Sequence, residues 1–182
     1  MIVAIAGGHP DPLHGLLGKT LADLRRQHGC RVLLVDAACG QRLDCAADCF
    51  DDVLVAAGDC GSDACRSALA AAQVALVPIA PEEADAARHY ALIARLNAAR
   101  MFNPGLRVLF VATPDGEGTA AEDGVHAVRA YAAEVMSGHV AATVLDRRAL
   151  LAGPAVGVDG GLAALSMEVF GGTHARHHAA HH

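Results

Sequence analysis

The apolar residues of this chain are grouped into short runs, and between the runs they recur at the three- and four-residue spacing of helices. The runs predict strands at residues 2–6, 31–36, 53–57, 74–79, 107–112 and 141–145. The segments between them predict helices at residues 18–27, 63–72, 82–100 and 121–137. Runs such as 32–35, Val-Leu-Leu-Val, have no polar alternation, which is typical of strands buried on both faces of a parallel sheet. The pattern predicts an α/β fold: a doubly wound, mostly parallel sheet with helices on both faces.

No linker or internal repeat interrupts this alternation, so residues 1–170 are predicted to form a single domain. Residues 171–182 are rich in histidine and are predicted to form a disordered tail. Clustered histidines can bind metal, but an appended, non-native tail explains the same composition.

Composition narrows the class of protein. The longest apolar runs are too short to span a bilayer, and the N-terminal run has no basic flank, which together predict a cytoplasmic protein. The six cysteines lack zinc-ribbon spacing and are predicted to be reduced, buried thiols. The formal net charge of −6 means that any contact with DNA must come from a local basic patch.

Residues 14–20, His-Gly-Leu-Leu-Gly-Lys-Thr, follow the first predicted strand and are interpreted as a phosphate loop that opens a helix. In such a loop, backbone N–H groups face a phosphate, a lysine contacts the β- and γ-phosphates, and a threonine hydroxyl holds Mg²⁺. Lys19, the only lysine in the chain, and Thr20 are in the corresponding positions. The pattern is incomplete, because Leu13 occupies the first glycine position. A helix-capping turn without nucleotide is the alternative reading.

Several segments together resemble the ParA/MinD family of P-loop ATPases, in particular its short ParA-like members. The resemblance covers most of residues 1–165 and is carried by segments 1–6, 14–20, 31–37, 50–55, 74–81, 103–108 and 143–148. It implies a P-loop NTPase-like fold, binding of ATP or ADP with Mg²⁺, and dimerisation. The residues that it assigns to the nucleotide are His14, Gly15, Leu16, Leu17, Gly18, Lys19 and Thr20, with Thr20 also at the Mg²⁺.

The departures from the family pattern remove groups that hydrolysis needs. The family's signature lysine is His14 here, its second loop glycine is Leu16, and its second acid is Ala38. The Walker B acid falls on Ala56 or, with a one-residue slip, on Ala57. Asp36 is the remaining candidate catalytic acid. Because phosphoryl transfer needs neutralised charge and a positioned water, we expect weak or absent ATPase activity.

A second candidate surface consists of arginines. By the resemblance, they could form a basic patch for nonspecific DNA or for a partner, while pairing with nearby acids on a solvated helix face is the alternative. The residues are Arg88, Arg95, Arg100, Arg147 and Arg148.

Three functions follow from this reading. The first is a ParA-like positioning or partition protein with a degenerate nucleotide site, which acts through nucleotide-sensitive homodimerisation and a protein partner or cargo adaptor. The second is a catalytically silent ParA-like scaffold that partners an active ATPase paralogue. The third is a MinD-like metal-insertion or maturation NTPase, which the histidine tail and the cysteines motivate.

Overall fold

The computed structural model describes residues 1–37, 49–116, 119–136, 139–153 and 159–171. Within them, six strands form one sheet in the order β2-β3-β1-β4-β5-β6, and every paired neighbour is parallel. The strands are β1 (Ile2–Gly7), β2 (Val32–Asp36), β3 (Asp52–Asp59), β4 (Val74–Ile79), β5 (Arg107–Ala112) and β6 (His139–Val140).

Helices cover both faces of the sheet. They are α1 (Pro12–Gln27), α2 (Asp63–Ala71), α3 (Tyr90–Phe102), α4 (Thr119–Met136), α5 (Arg147–Ala152) and α6 (Asp159–Phe170). Val3 and Ile5 of β1 pack against the layer of α1, α5 and α6, whereas Ala4 and Ala6 pack against α2, α3 and α4. All four side chains are fully buried. Because successive side chains of a strand point to opposite faces, an unbroken apolar strand is what this position requires, and the predicted fold class is confirmed.

Two predicted elements are wrong. Residues 141–145 are not a regular strand: the N–H groups of Ala141 and Leu145 still donate to carbonyls of β5, but those of Ala142 and Thr143 donate to the carboxylate of Glu168 on α6. The helix predicted at 82–100 begins only at Tyr90, after a 3-10 turn at Pro81–Glu83.

The order of the strands creates a crevice at the carboxyl end of the sheet. From β1 the chain passes by α1 to β2, on one side, whereas from β4 it passes by α3 to β5, on the other side. In open α/β sheets, ligands bind where adjacent strands send the chain in opposite directions. We call this place the β1–β4 crevice; it lies between the 8–11 connection and the 80–89 segment. Among the described helices, none is long and apolar enough to cross a membrane.

Candidate functional site

The connection between β1 and α1 is short and ends in a strong helix start. It consists of residues 8–11, Gly-His-Pro-Asp. Asp11 has an extended backbone and caps α1, since its Oδ1 accepts the N–H of Leu13 at 2.8 Å. Pro12 follows at the first helical position, where its fixed φ favours the helix and its missing N–H costs nothing. The Asp-Pro pair therefore sets the start of α1 at residue 12.

The prediction that residues 14–20 are a loop opening a helix is consequently wrong, because this segment lies inside α1. Lys19 is exposed and lies about two turns beyond the start of the helix. The Thr20 hydroxyl donates to the Leu16 carbonyl at 2.8 Å, a bond within the helix. At Gly18, an added Cβ would lie 3.2 Å from Ile5 Cδ1, so this glycine lets α1 pack closely on the sheet.

The remaining residues of the segment also have helical roles. Gly15 is exposed with open space around it, and Leu17 is fully buried in the apolar layer under α1. Leu16 is half-buried. The assignment of residues 14–20 to a nucleotide stays a prediction, and the loop geometry on which it was based is not present.

A carboxylate of the chain itself lies at the N-terminus of α1, where a phosphate loop would hold a phosphate. Asp11 Oδ2 accepts from Arg147 Nη2 at 2.7 Å, and the Asp11 side chain is 6% exposed. Burial by itself raises the pKa of this carboxyl, but the Leu13 N–H and the hydrogen bond and charge of Arg147 outweigh it, so the pKa lies below its ordinary value. Asp11 is therefore ionised at neutral pH. Its carboxylate interacts with the positive end of the α1 dipole and also forms an ion pair with Arg147.

His14 fills the space beneath the end of β1. A Cβ added to Gly7 would lie 2.2 Å from Cε1 and from Nε2 of the His14 ring, so the glycine leaves room for the imidazole. The side chain is buried, and its Nδ1 has no hydrogen-bond partner among the described residues. Burial lowers the pKa of His14 below its ordinary value, so the ring is neutral at physiological pH and supplies no positive charge to an anion.

A second buried histidine lies on the other side of the same turn. A Cβ added to Gly8 would lie 2.6 Å from His89 Cδ2. His89 meets Tyr131 of α4 edge-on, with ring centroids 5.6 Å apart, and Tyr131 in turn meets Phe110 of β5 at 5.8 Å. Burial lowers the pKa of His89 as well. The 7–8 turn is therefore held between two neutral imidazoles.

The two sides of the β1–β4 crevice are joined directly. His9 Nε2 lies 3.0 Å from Glu83 Oε1, which links the 8–11 connection to the turn after β4. Sequence reasoning missed Asp11, His9, Glu83 and His89. The Asp-Pro pair at 11–12 was the available signal, since it is a helix start that precedes the Gly-Lys-Thr segment.

The candidate acid Asp36 ends β2 and is paired in register with Ala56 of β3. Ala38 lies outside the described residues, so its comparison with the family's second acid has no structural counterpart here. A bulge between Ile5 and Ala6 brings Asp59 opposite Gly7, yet Asp59 is exposed and its Oδ1 accepts the Gly61 N–H at 3.0 Å. A catalytic role for Asp36 stays a prediction.

Four of the five candidate arginines have partners within the chain, and these partners lie on different elements. Arg95 Nε donates to the Cys60 carbonyl at 2.9 Å, and Arg100 Nη1 donates to the Met136 carbonyl at 3.3 Å. Arg147 binds Asp11, as described above, and Arg148 Nε lies 3.9 Å from Asp115 Oδ2. Arg88 precedes the start of α3 at Tyr90, so Arg88 and Arg95 do not lie on one helix face. DNA binding by these arginines stays a prediction.

The cysteines of the described residues are free thiols: Cys30 is half-buried, Cys49 is exposed, and Cys60 and Cys65 are buried. Burial raises the pKa of Cys65 to about 12, so this thiol is protonated and behaves as a core residue. No group of three or more His, Cys, Asp or Glu side chains suited to a metal ion occurs in the parts of the chain that the structure describes. The histidine-rich stretch 172–182 lies outside those parts.

The residues at the start of α1 do not fit a nucleotide phosphate bound as in a phosphate loop. Such a loop needs free backbone N–H groups at the helix start and a lysine beside them. At the start of α1, Pro12 has no N–H, while the N–H groups of Leu13 and His14 already bond to Asp11. Lys19 is too far along the helix to take the lysine's role.

Comparison with known proteins identifies the fold. No family model matches the sequence, and no curated protein matches it. Among solved structures, cobyrinic acid a,c-diamide synthase from Mycobacterium smegmatis, crystallised with an ATP analogue and magnesium, is similar with a TM-score of 0.63 and 17% identity, over 100% of this chain and 97% of that one. The MinD cell division protein of Aquifex aeolicus is similar with a TM-score of 0.59 and 12% identity, over 94% of this chain and 97% of that one.

Two further structures of the same proteins add their bound molecules. The Mycobacterium synthase with ADP and magnesium matches with a TM-score of 0.63 and 16% identity, over 100% of this chain and 97% of that one. The MinC:MinD complex of Aquifex matches with a TM-score of 0.60 and 12% identity, over 94% of this chain and 96% of that one. At these identities the likeness shows the fold, which is that of the MinD/ParA-like P-loop NTPases.

Proposed function

We propose that this chain is a ParA/MinD-like scaffold that acts by binding protein partners and does not switch with ATP. The observation that carries the proposal is the Asp11 carboxylate at the N-terminus of α1, hydrogen-bonded to the Leu13 N–H and paired with Arg147. A phosphate brought to the same place would meet an ionised carboxylate and would find the nearest arginine already engaged. Electrostatic repulsion and the loss of two charge-assisted hydrogen bonds both oppose nucleotide binding.

Other features of the site support the same proposal. The imidazole near the start of the helix, His14, is neutral, so it cannot replace the charge of a loop lysine. The turn before the helix is packed between His14 and His89, which leaves no room for even a methyl group on Gly7 or Gly8 without a shift. The similarity to the MinC:MinD complex supports protein partnering as the retained property, since the fold of that neighbour is seen with a protein bound.

One observation supports the first of the three functions, a positioning protein with nucleotide-sensitive dimerisation. Neighbours of the same fold were crystallised with an ATP analogue, with ADP and with magnesium. It would require α1 to unwind from Pro12 to Gly18 to form a loop, which breaks the Asp11 cap and the Leu17 packing. We therefore rank the positioning protein second. For the third function, metal insertion, nothing in the described residues gives support.

The test is the response of the assembly state to nucleotide. We expect the sedimentation coefficient to be the same with and without millimolar Mg-ATP, and Lys19→Ala to behave like the unaltered chain. We also expect ATP hydrolysis by both proteins to equal the protein-free blank. An ATP-induced shift in sedimentation that disappears in Lys19→Ala would refute the proposed function and support the nucleotide switch.

A further inference from the structure

The helices on the two sides of the β1–β4 crevice each begin beside a buried histidine. His14 lies in the first turn of α1, and His89 is the N-cap of α3. They are 4% and 5% exposed, whereas the other described histidines lie at the surface. Because the N-terminus of a helix carries a positive partial charge, both positions disfavour a protonated imidazole.

Neither ring is hydrogen-bonded in the way that a charged imidazole requires. Among the described residues, Nδ1 of His14 and Nδ1 of His89 have no partner. A neutral imidazole tolerates this, because one of its nitrogens carries no proton, but an imidazolium donates from both nitrogens. Burying a charged donor without an acceptor is costly. Each ring must therefore reach water or another acceptor when it takes up a proton.

Burial has the largest effect on His14 and lowers its pKa. The charged and titratable groups that face His14 are the carboxylates of Asp11 and Glu83, the His9 ring and the guanidinium of Arg147. The carboxylates favour protonation of His14, but Asp11 already pairs with Arg147 at 2.7 Å. Attraction and repulsion therefore offset each other in part, and burial decides the direction.

Burial also has the largest effect on His89 and lowers its pKa. The groups that face His89 are Glu83, Asp85, Arg88, the His9 ring and, from α4, Tyr131. Tyr131 stays protonated, because burial raises its pKa to about 12. Glu83 attracts both buried histidines, but it also lies 3.0 Å from His9 Nε2, so its charge is shared among three rings.

Movement of either buried ring displaces the turn at Gly7 and Gly8. The rings approach these glycines so closely that no Cβ fits at either position without a shift. On the β3 side, Cys60 donates its N–H to the Gly7 carbonyl at 3.2 Å, and its Sγ lies 3.9 Å from the Gly8 carbonyl oxygen. Burial raises the pKa of this thiol, so it is neutral and does not hold the turn by charge.

The 80–89 segment is fixed at its start by a contact that does not titrate. Pro81 packs on α4 at Gly124, where an added Cβ would lie 2.5 Å from Pro81 Cγ. Further along, the segment meets the 8–11 connection through Glu83 and packs His89 against Gly8. Both of these later contacts involve histidine, so the attachment of the segment to the turn depends on pH.

We propose that the 80–89 segment is an acid-sensitive latch over the β1–β4 crevice: proton uptake by His14 and His89 releases the turn at Gly7 and Gly8, and the segment moves away from the 8–11 connection. Opening exposes both rings, and their pKa then returns toward the ordinary value of 6.5. The closed state is therefore fully favoured above this pH and is weakened as the pH falls below it.

The two histidines outweigh the exposed contact between His9 and Glu83, which acid does not break. Each buried histidine shifts the equilibrium toward opening by up to about tenfold per pH unit below its ordinary pKa. An exposed pair such as His9–Glu83 opposes opening by at most about fivefold. Opening requires no nucleotide, so the latch and the proposed function are tested separately.

The test is hydrogen exchange of the full chain without nucleotide at about pH 7.5 and about pH 5.5, with labelling times scaled to the intrinsic exchange rate. The reporters are the N–H groups of Cys60, bonded to the turn, and of His89, bonded to the Asp85 carbonyl. We expect their protection to fall about tenfold or more on acidification. Amides of β5, at Arg107–Ala112, are expected to stay unexchanged over the labelling time in which the reporters exchange.

Two substitutions remove the titrating rings and keep apolar side chains. We expect His14→Leu and His89→Phe each to retain about half of the change on a logarithmic scale, and the double variant to stay protected at about pH 5.5. The matched control is His126→Phe, since His126 is exposed on α4, and we expect it to respond like the unaltered chain. His9→Ala breaks the contact with Glu83 without altering a buried ring, so we expect less protection at both pH values and at least the same response to acid.

Three results would overturn the latch. The first is equal protection of the reporters at both pH values. The second is exchange of β5 at the same rate as the reporters, because acid then unfolds the whole chain. The third is a full acid response in the double variant, or its loss in His9→Ala, because another group then titrates. Circular dichroism shows whether each variant is folded, and where the double variant is not, the two single variants and His9→Ala decide.

Discussion

Replacing Phe110 with alanine is expected to lower the free energy of unfolding by about 3–5 kcal/mol. Phe110 is the largest fully buried side chain of β5, and its ring contacts Tyr131 at 5.8 Å nearly at a right angle. The substitution removes apolar area from the core and leaves a cavity into which a packed sheet and α4 cannot fully collapse. Because Tyr131 supports His89, and His89 supports the turn at Gly8, the change also loosens one side of the β1–β4 crevice.

The matched control is Phe102→Ala, the same substitution at a side chain that is 86% exposed. Measured by urea denaturation, we expect it to change stability by less than about 0.5 kcal/mol. Similar losses at Phe110 and Phe102 would contradict the burial on which the core assignment rests.

Asp52→Ala is expected to cost about 3–5 kcal/mol, because it leaves the guanidinium of Arg25 buried without its counter-charge. Arg25 donates to Asp52 Oδ2 from Nε at 2.8 Å and from Nη2 at 2.7 Å, and its Cζ lies 4.5 Å from the ring centroid of Phe170. The N-terminal amine lies 3.5 Å from Asp52 Oδ1. These contacts connect the last part of α1 to β3 and α6. They therefore help to fix the position of α1, whose start defines the candidate site.

The comparison for Asp52 is Asp23→Ala, which breaks the ion pair between Asp23 and Arg26 on the exposed side of the same helix. Surface pairs of this kind contribute about 0–1 kcal/mol, so we expect a small loss in urea denaturation. If Asp23→Ala destabilised the chain as much as Asp52→Ala, the burial of the Arg25–Asp52 pair could not be the cause of the effect.

The fold was predictable from the sequence because buried parallel strands leave a local signal. The bounds predicted for β4 and β5 agree with the structure to the residue, since β4 is an apolar run and β5 is an apolar run preceded only by Arg107. The end of the sheet was not predictable in this way. Ala141 and Leu145 still donate their N–H groups to β5, but between them the N–H of Thr143 donates to the carboxylate of Glu168 on α6, 25 residues further along the chain, and the regular ladder ends.

For the candidate site, prediction from the sequence failed for a different reason. Gly18, Lys19 and Thr20 match a phosphate-loop motif, but the start of a helix is decided by the first strong cap along the chain, and Asp11-Pro12 comes earlier. Once α1 begins there, the 3.6-residue period turns Gly18 toward the sheet and Lys19 toward solvent. The pairing of Asp11 with Arg147 joins residues 136 positions apart, and no local pattern reveals it.

We propose that Asp11 closes the N-terminus of α1 to phosphate, and calorimetric titration of Mg-ATP and Mg-ADP into the protein tests this most directly. Lys19→Ala is the control for a phosphate loop. We predict no binding tighter than about 1 mM for either nucleotide, and identical traces for both proteins, corresponding to less than about 4 kcal/mol of binding free energy. Micromolar binding that is lost in Lys19→Ala would contradict the account and would mean that α1 unwinds to form a working phosphate loop.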